Sequence, residues 1–148
     1  MKVGMPDKSF IVLDTSIAAS WFFTDEVNHS ASLSVLHHLG LKSDRYFVPA
    51  LFYSELIHVL SRKSANDILF VKDAIKKVIC LGLRQLTLSE SALDSIVSWS
   101  CKGLSGYDAT FVALAQDLRG LWLTADLPAA KKVGTELAIC LDEWLNAQ

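Results

Sequence analysis

The hydrophobic positions of the chain fall into short apolar runs separated by longer amphipathic stretches. The runs are brief, contain many β-branched and aromatic residues and end at turn-forming residues, which predicts strands. Continuous apolar runs are typical of strands that are buried on both faces of a parallel sheet. The predicted strands are residues 9–13, 45–48, 84–88, 121–124 and 136–140.

The stretches between the predicted strands follow a helical period. Several have a capping residue at their start, such as Ser89, or a glycine at their end, such as Gly82. Strands that alternate with helices predict a three-layer α/β/α fold with a central, mostly parallel sheet. No repeat or linker interrupts residues 1–148, so we expect a single domain. The predicted helices are 17–23, 27–39, 50–62, 64–81, 89–101, 107–118, 126–134 and 141–146.

Composition excludes several classes of protein. The net charge of the 148 residues is −2, so no overall basic field can hold nucleic acid, and any such contact needs a local basic patch. The three cysteines have neither zinc-site spacing nor an even number, which favours a reducing, cytoplasmic location. No uncharged apolar run approaches the roughly 20 residues of a membrane span, so no membrane association is expected.

Four acidic residues lie within or directly after apolar stretches that do not otherwise need a charge. Asp14 follows the first predicted strand, and Asp126 lies two residues after the fourth. Glu55 lies in a helix that is apolar around nearly its whole circumference, and Asp108 lies in the first turn of another helix. Carboxylates at one edge of a parallel sheet would repel each other unless a divalent cation bound between them.

Each aspartate also has a purely structural interpretation. Asp14 and Asp126 can cap the helices that follow them. Asp108 can form a capping box with Ser105, although such a box prefers the longer Glu or Gln at the third position. Glu55 can instead form a salt bridge to Arg62 on the same helix or accept a hydrogen bond from its neighbour His58. The residues alone leave these alternatives open.

The four acids, taken with their neighbours and in their order along the chain, resemble the four motifs of the PIN-domain family. The matching segments are 13–16 (Leu-Asp-Thr-Ser), 54–56 (Ser-Glu-Leu), 107–115 and 123–126 (Leu-Thr-Ala-Asp). The length is similar to that of the stand-alone, VapC-type toxin branch of the family. The sequence departs from relatives at 127–129, Leu-Pro-Ala, where they often carry polar or basic residues.

The resemblance implies an endoribonuclease that depends on Mg²⁺ or Mn²⁺. In such an enzyme Asp14, Asp108 and Asp126 hold the metal, and Glu55 completes the catalytic set. Ser16 and Thr124 orient the carboxylates through their hydroxyl groups. Oxygen ligands favour these hard cations, and no Cys or His cluster competes with them.

The resemblance also implies three partners: an RNA substrate, a small antitoxin protein and a second copy of the chain. The aromatic segment 21–23 is a candidate surface for a protein partner, or part of the core. An alternative function is a PIN-like interaction or RNA-binding module without activity. Several basic residues are candidate phosphate contacts, although an ordinary charged surface also explains them: Arg45, Arg62, Lys63, Lys131 and Lys132.

Overall fold

The computed structural model of the chain describes residues 8–148. Within these residues, five parallel strands form one sheet in the order β3-β2-β1-β4-β5. This architecture confirms the predicted α/β fold with a parallel central sheet. The strands are β1 (Ile11–Leu13), β2 (Tyr46–Pro49), β3 (Arg84–Leu86), β4 (Leu121–Thr124) and β5 (Ala138–Cys140).

Eight α-helices in the same part of the chain surround the sheet, and a 3-10 turn at Ser43–Arg45 precedes β2. None of the helices between residues 8 and 148 is long and apolar enough to cross a membrane. The helices are α1 (Thr15–Ser20), α2 (His29–Leu41), α3 (Leu51–Lys63), α4 (Ile68–Ile79), α5 (Glu90–Cys101), α6 (Gly106–Leu118), α7 (Leu127–Val133) and α8 (Leu141–Asn146).

The central strands and helix α6 form the middle of the core. Every residue of β1 and β4 is buried, as the continuous apolar runs predict. Helix α6 packs against β1, β2 and β4, and α5 packs on α6. Helix α1 contacts α2 and α3, while α8 packs on α2 and the β4–β5 side of the sheet. The sheet is therefore covered by helices, as expected for strands without a polar face.

The order of the strands reverses beside β1. The chain runs outward from β1 to β2 and β3, and then returns to add β4 on the other side of β1. A crevice at the carboxyl ends of such a strand pair is the usual ligand site in open α/β sheets. Asp14 directly follows β1, and Asp126 lies two residues after β4. The fold thus places both acids at the same switch point.

Gly120 allows the end of α6 to approach β1 closely. A Cβ atom at this position would lie 2.5 Å from the backbone oxygen of Phe10. The next residue, Leu121, donates its backbone N–H to that oxygen at 3.0 Å. Arg119 takes the left-handed conformation that ends the helix, at φ 54°. The absence of a side chain at Gly120 therefore brings β4 beside β1.

The prediction that the first helix extends to Phe23 is wrong, because α1 ends at Ser20. Trp21 turns inward and donates its indole N–H to the backbone oxygen of Ser32 at 2.8 Å. The ring Nδ1 of His29 lies 2.7 Å from the backbone oxygen of Ser20. These tertiary contacts hold the chain in a loop where the local pattern continues the helix.

The predicted helix at 64–81 begins later, at Ile68. Ala65 and Asn66 adopt positive φ angles of 53° and 63°, which a helix cannot contain. Asp67 then caps α4 by accepting a hydrogen bond from the backbone N–H of Phe70 at 3.1 Å. The other boundaries differ from prediction by a few residues or fewer, as helix and strand ends usually do.

Candidate active site

Asp14 is the most enclosed of the four acids, at 7% exposure. Its Oδ2 accepts hydrogen bonds from the backbone N–H and the hydroxyl group of Ser16, and from the hydroxyl of Thr124 at 3.1 Å. Its Oδ1 accepts the indole N–H of Trp122 at 3.2 Å. Donors on both oxygens fix the orientation of the carboxylate, since a buried charge needs such partners.

The residues that hold Asp14 also tie the first motif to the fourth. The hydroxyl oxygen of Ser16 accepts the backbone N–H of Ala125 at 3.2 Å. The hydroxyl oxygen of Thr124 accepts the backbone N–H of Asp126 at 3.1 Å. Thr124 therefore donates to one acid and orients the backbone of another. The two segments, which lie far apart in sequence, form one hydrogen-bonded unit at the end of β1 and β4.

Asp14 and Asp126 each cap the helix that follows them, as their structural interpretation predicts. Asp14 accepts from the backbone N–H of Ser16 at the start of α1. Asp126 accepts from the N–H of Ala129 at 3.0 Å at the start of α7. At α6 the cap is Ser105, whose hydroxyl accepts the N–H of Asp108 at 3.0 Å. Capping thus uses one carboxylate oxygen of Asp14 and one of Asp126, and it leaves these residues able to bind a cation as well.

Glu55 lies half-buried on α3, and one of its oxygens has no partner. The Oε1 atom is inaccessible to solvent and has no hydrogen-bond partner in the part of the chain that the structure describes. Neither Arg62 nor His58 therefore satisfies this atom, although the sequence allowed both. An unpartnered buried carboxylate oxygen is costly in a purely structural role.

Burial and mutual repulsion raise the pKa of two acids into the neutral range. Burial, and to a smaller extent the charges of Asp14 and Asp108, together raise the pKa of Glu55 from 4.5 to about 7. Burial and the charges of Asp14 and Asp126 together raise the pKa of Asp108 from 3.8 to about 6, against a hydrogen bond from Ser105. The four carboxylates therefore share one electrostatic environment.

Burial raises the pKa of Asp14 as well, and the hydrogen bonds from Ser16, Thr124 and Trp122 oppose that rise. These donors stabilise the ionised form of Asp14, the form that a cation would bind. The structure therefore surrounds one carboxylate with donors and leaves Glu55 with an oxygen that has none.

The donor set fits a hard divalent cation. It consists of carboxylate oxygens, and it includes the free Oε1 of Glu55. The pKa values of Asp14, Glu55 and Asp108 are raised. A cation would supply the partner that this atom lacks and would relieve the repulsion among the acids. Within residues 8–148, no three His, Cys, Asp or Glu side chains are already arranged to hold one ion. The fit therefore rests on the chemistry of the donors rather than on a preformed cage.

The sequence model of the PIN domain matches residues 11–133. The chain belongs to the PIN domain family. The match begins at β1 and ends with α7, so it includes all four acids of the site. Among curated proteins, no sequence matches this PIN domain.

Solved structures show the same fold at low sequence identity. PAE2754 of Pyrobaculum aerophilum is 15% identical with a TM-score of 0.66, covering 93% of this chain and 94% of its own. VapC20 of Mycobacterium tuberculosis, a toxin that cleaves the sarcin-ricin loop, is 14% identical with a TM-score of 0.58, covering 76% and 86%. VapBC2 of Rickettsia felis, bound to a DNA fragment of its promoter, is 12% identical with a TM-score of 0.61, covering 88% and 98%.

The structure places the predicted basic residues of this PIN domain at different distances from the acids. Arg45 precedes β2 and thus lies at the amino edge of the sheet, opposite the acids. Arg62 and Lys63 lie at the end of α3, roughly 10 Å along the helix axis from Glu55. Lys63 forms an ion pair with Glu26. The structure therefore does not bring Arg45 together with the carboxylates.

Lys131 and Lys132 lie on α7, one to two turns after Asp126, and both are exposed. The Nζ of Lys132 donates to the backbone oxygen of Gly103 at 3.3 Å. Gly103 belongs to the loop that leads into α6, the helix of Asp108. These two lysines are consequently on the segment that leaves the carboxylate edge.

Sequence reasoning missed the role of Trp122. The residue is fully buried, as a core position predicts, but its indole N–H also donates to Asp14. Trp122 and Thr124 lie two residues apart on β4, so their side chains project from the same face of the strand. Because Thr124 was already expected to contact the carboxylates, this two-residue spacing is the signal that identifies Trp122.

Proposed function

We propose that this PIN domain is a Mg²⁺- or Mn²⁺-dependent endoribonuclease that hydrolyses phosphodiester bonds of RNA. The observation that carries the proposal is the electrostatic coupling of four carboxylates: Asp14 and Asp108 raise the pKa of Glu55, and Asp14 and Asp126 raise the pKa of Asp108. The fold that the chain shares with VapC20, a toxin that cleaves the sarcin-ricin loop, supports RNA as the substrate class.

In this proposal Asp14, Asp108 and Asp126 hold the metal, and Glu55 completes the catalytic set. Bound divalent ions supply an activated water and stabilise the leaving oxygen of the phosphodiester. The hydroxyl groups of Ser16 and Thr124 hold Asp14 in one orientation and favour its ionised form. Rotation of the Glu55 side chain would bring its enclosed Oε1 to the ion or to the attacking water, and this atom has no hydrogen bond to break.

The proposed phosphate contacts are the basic residues nearest the acids. Lys131 and Lys132 follow Asp126 on α7, and Arg62 follows Glu55 on α3. Lys63 contributes less, because it is already paired with Glu26. The remaining predicted contact, Arg45, would require RNA to extend to the opposite edge of the sheet.

We further propose that the chain is the toxin of a toxin–antitoxin pair, acting in the cytoplasm as a homodimer bound by a small antitoxin protein. The VapBC2 complex, which shares the fold, supports this assignment. Phe22 and Phe23 pack against Phe70 of α4. The neighbouring Ile68 and Leu69 are 67% and 79% exposed, which supplies apolar surface for a protein partner beside the aromatic segment.

An RNA cleavage assay tests the enzymatic proposal. We expect the purified protein to cleave RNA with Mg²⁺ or Mn²⁺ and to stop when EDTA is added. Asp108→Asn should reduce cleavage at least about a thousandfold, as removal of a catalytic group commonly does. Asp94→Asn, on the exposed face of α5, is the matched control and should cleave normally.

Two results would overturn the proposal. Full cleavage by Asp108→Asn would show that the carboxylate is not needed, and equal activity in excess EDTA would show that no metal is needed. If the wild type binds Mn²⁺ and RNA but does not cut, the chain is instead the inactive RNA-binding module considered above.

A further inference from the structure

A groove lies between α3 and the first turn of α6, directly beside the carboxylates. Its volume is about 570 Å³, which is within the usual range for small-ligand sites. Glu55 forms part of its wall, so the groove is continuous with the candidate active site. The lining residues are Leu51, Ser54, Glu55, His58, Val59 and Tyr107.

Tyr107 contributes an exposed aromatic ring to this groove. The residue is 61% exposed and directly precedes Asp108. By contrast, the aromatic residues Phe111 and Trp122 of the neighbouring core are fully buried. A large ring that folding leaves exposed next to a catalytic acid is available for a ligand.

The lining of the groove suits a neutral, flat group better than a phosphate. Leu51 and Val59 supply apolar walls, and Ser54 and His58 supply hydrogen-bonding groups. Its only charged side chain among the described residues is Glu55, which would repel a phosphate. A nucleobase has apolar faces and a hydrogen-bonding edge, and unpaired bases commonly stack on tyrosine.

We propose that this groove binds one unpaired nucleobase of the RNA, stacked on Tyr107, next to the phosphodiester at the carboxylates. The inference rests on the proposed ribonuclease function and adds the position at which one base of the substrate binds. The base occupies the groove while the adjacent phosphate faces the acids and their cation. Tyr107 is thus a binding residue that places the scissile bond.

The test compares RNA affinity among variants of the full chain. The probe is a short, unstructured, fluorescently labelled RNA, measured by anisotropy with Mn²⁺ present, and each protein carries Asp108→Asn so that no cleavage occurs. Tyr107→Leu keeps an apolar residue but removes the ring, and we expect it to weaken binding about fivefold to a hundredfold. Tyr107→Phe restores most of the affinity lost in the leucine variant, because the ring remains.

Ile57→Ala is the matched control. Ile57 is an exposed apolar residue of α3 that does not line the groove, at 43% exposure. We expect its RNA affinity to equal that of the wild type. A second set of oligonucleotides lacks the base at one position each. We expect a single position at which removal of the base lowers the affinity of the wild type but not that of Tyr107→Leu.

The outcomes separate this inference from the proposed function. Wild-type affinity and cleavage in Tyr107→Leu would overturn the base-binding groove and leave the ribonuclease proposal standing. The base-binding groove would also be overturned if Tyr107→Leu kept its RNA affinity and lost only the binding of an antitoxin protein, because the groove would then hold a peptide. A wild type that neither binds nor cleaves RNA would overturn both.

Discussion

The indole N–H of Trp122 donates to Oδ1 of Asp14 at 3.2 Å, and both side chains are buried. A buried indole needs an acceptor, and a buried carboxylate needs donors, so each residue satisfies the other. The other oxygen of Asp14 is already engaged by Ser16 and Thr124. Trp122 therefore controls the oxygen that has the fewest other partners, which is the one best able to bind a cation.

Trp122→Phe should weaken Mn²⁺ binding by about tenfold, in line with the loss of a hydrogen bond that orients a metal ligand. RNA cleavage should fall in parallel at low Mn²⁺ and recover in part when Mn²⁺ is raised. Isothermal titration with Mn²⁺ and cleavage rates at several Mn²⁺ concentrations provide the measurement.

Trp21→Phe is the matched control for the loss of a buried indole. Its N–H donates to the backbone oxygen of Ser32 at 2.8 Å, away from the acids. Both variants should lose stability, by roughly 1–3 kcal/mol. Only Trp122→Phe should lose metal affinity. Equal Mn²⁺ affinity in the two variants would mean that Trp122 contributes packing alone.

The stability of the metal-free protein should fall as pH rises from about 5 to about 8. The pKa of Glu55 is raised to about 7 and that of Asp108 to about 6, so the folded state binds more protons than the unfolded state over this interval. Their contribution is complete below their ordinary pKa values and is lost as pH rises through the raised ones. Thermal unfolding in EDTA across this range measures the effect.

Two comparisons make the pH result specific. Glu55→Gln should flatten the decline, whereas Asp73→Asn, at a surface ion pair with Lys77, should leave it unchanged. Saturating Mn²⁺ should abolish the decline in the wild type, because a cation stabilises the ionised acids. Stability that increases with pH in EDTA would be inconsistent with the raised pKa values.

Thr124→Val should lower cleavage by about 10- to 100-fold. Valine has a similar shape but neither donates to Asp14 nor accepts the backbone N–H of Asp126. The variant should also lose about 1–3 kcal/mol of unfolding free energy, because the buried carboxylate of Asp14 loses a donor and the partly buried N–H of Asp126 loses its acceptor. Cleavage rates and denaturant unfolding test the two effects separately.

Thr15→Val provides a contrast in stability within the same motif. The hydroxyl of Thr15 is buried and has no partner among residues 8–148. Removing an unsatisfied polar group should leave stability unchanged or raise it. A similar loss in the two valine variants would mean that the hydrogen bonds of Thr124 do not determine the cost.

Gly120→Ala should destabilise the fold by about 1–3 kcal/mol, because the new methyl group would meet the backbone oxygen of Phe10. Gly40→Ala is the control: it lies within α2 with no atom within 4 Å of the new Cβ, and it should gain about 0.5–1 kcal/mol. Chemical denaturation measures both. A stabilised Gly120→Ala would show that β4 can shift away from β1.

The sequence predicts the elements well because their signals are local. Buried strands such as β4 are continuous apolar runs, and helices such as α5 begin at a capping serine, Ser89. The start of α4 was missed because Ala65 and Asn66 take positive φ angles without a glycine to indicate them. The end of α1 was missed because the contact of Trp21 with Ser32 is not local.

The acids were predicted from their motifs, but their surroundings were not. Strand order decides which residues face the site, and pairing between distant strands leaves no local pattern. This is why the sequence allowed Arg45 as an RNA contact although it lies at the opposite edge of the sheet. It is also why the free Oε1 of Glu55, which excludes the predicted Arg62 and His58 partners for that atom, required coordinates.

The pairing of β1 with β4 means that the carboxylate cluster can form only late in synthesis of the chain. Asp14 emerges early in synthesis, while Thr124 and Asp126, which complete its environment, emerge more than a hundred residues later. A nascent chain that has not yet reached Thr124 therefore lacks the hydroxyl group that orients Asp14 and cannot form the complete carboxylate cluster.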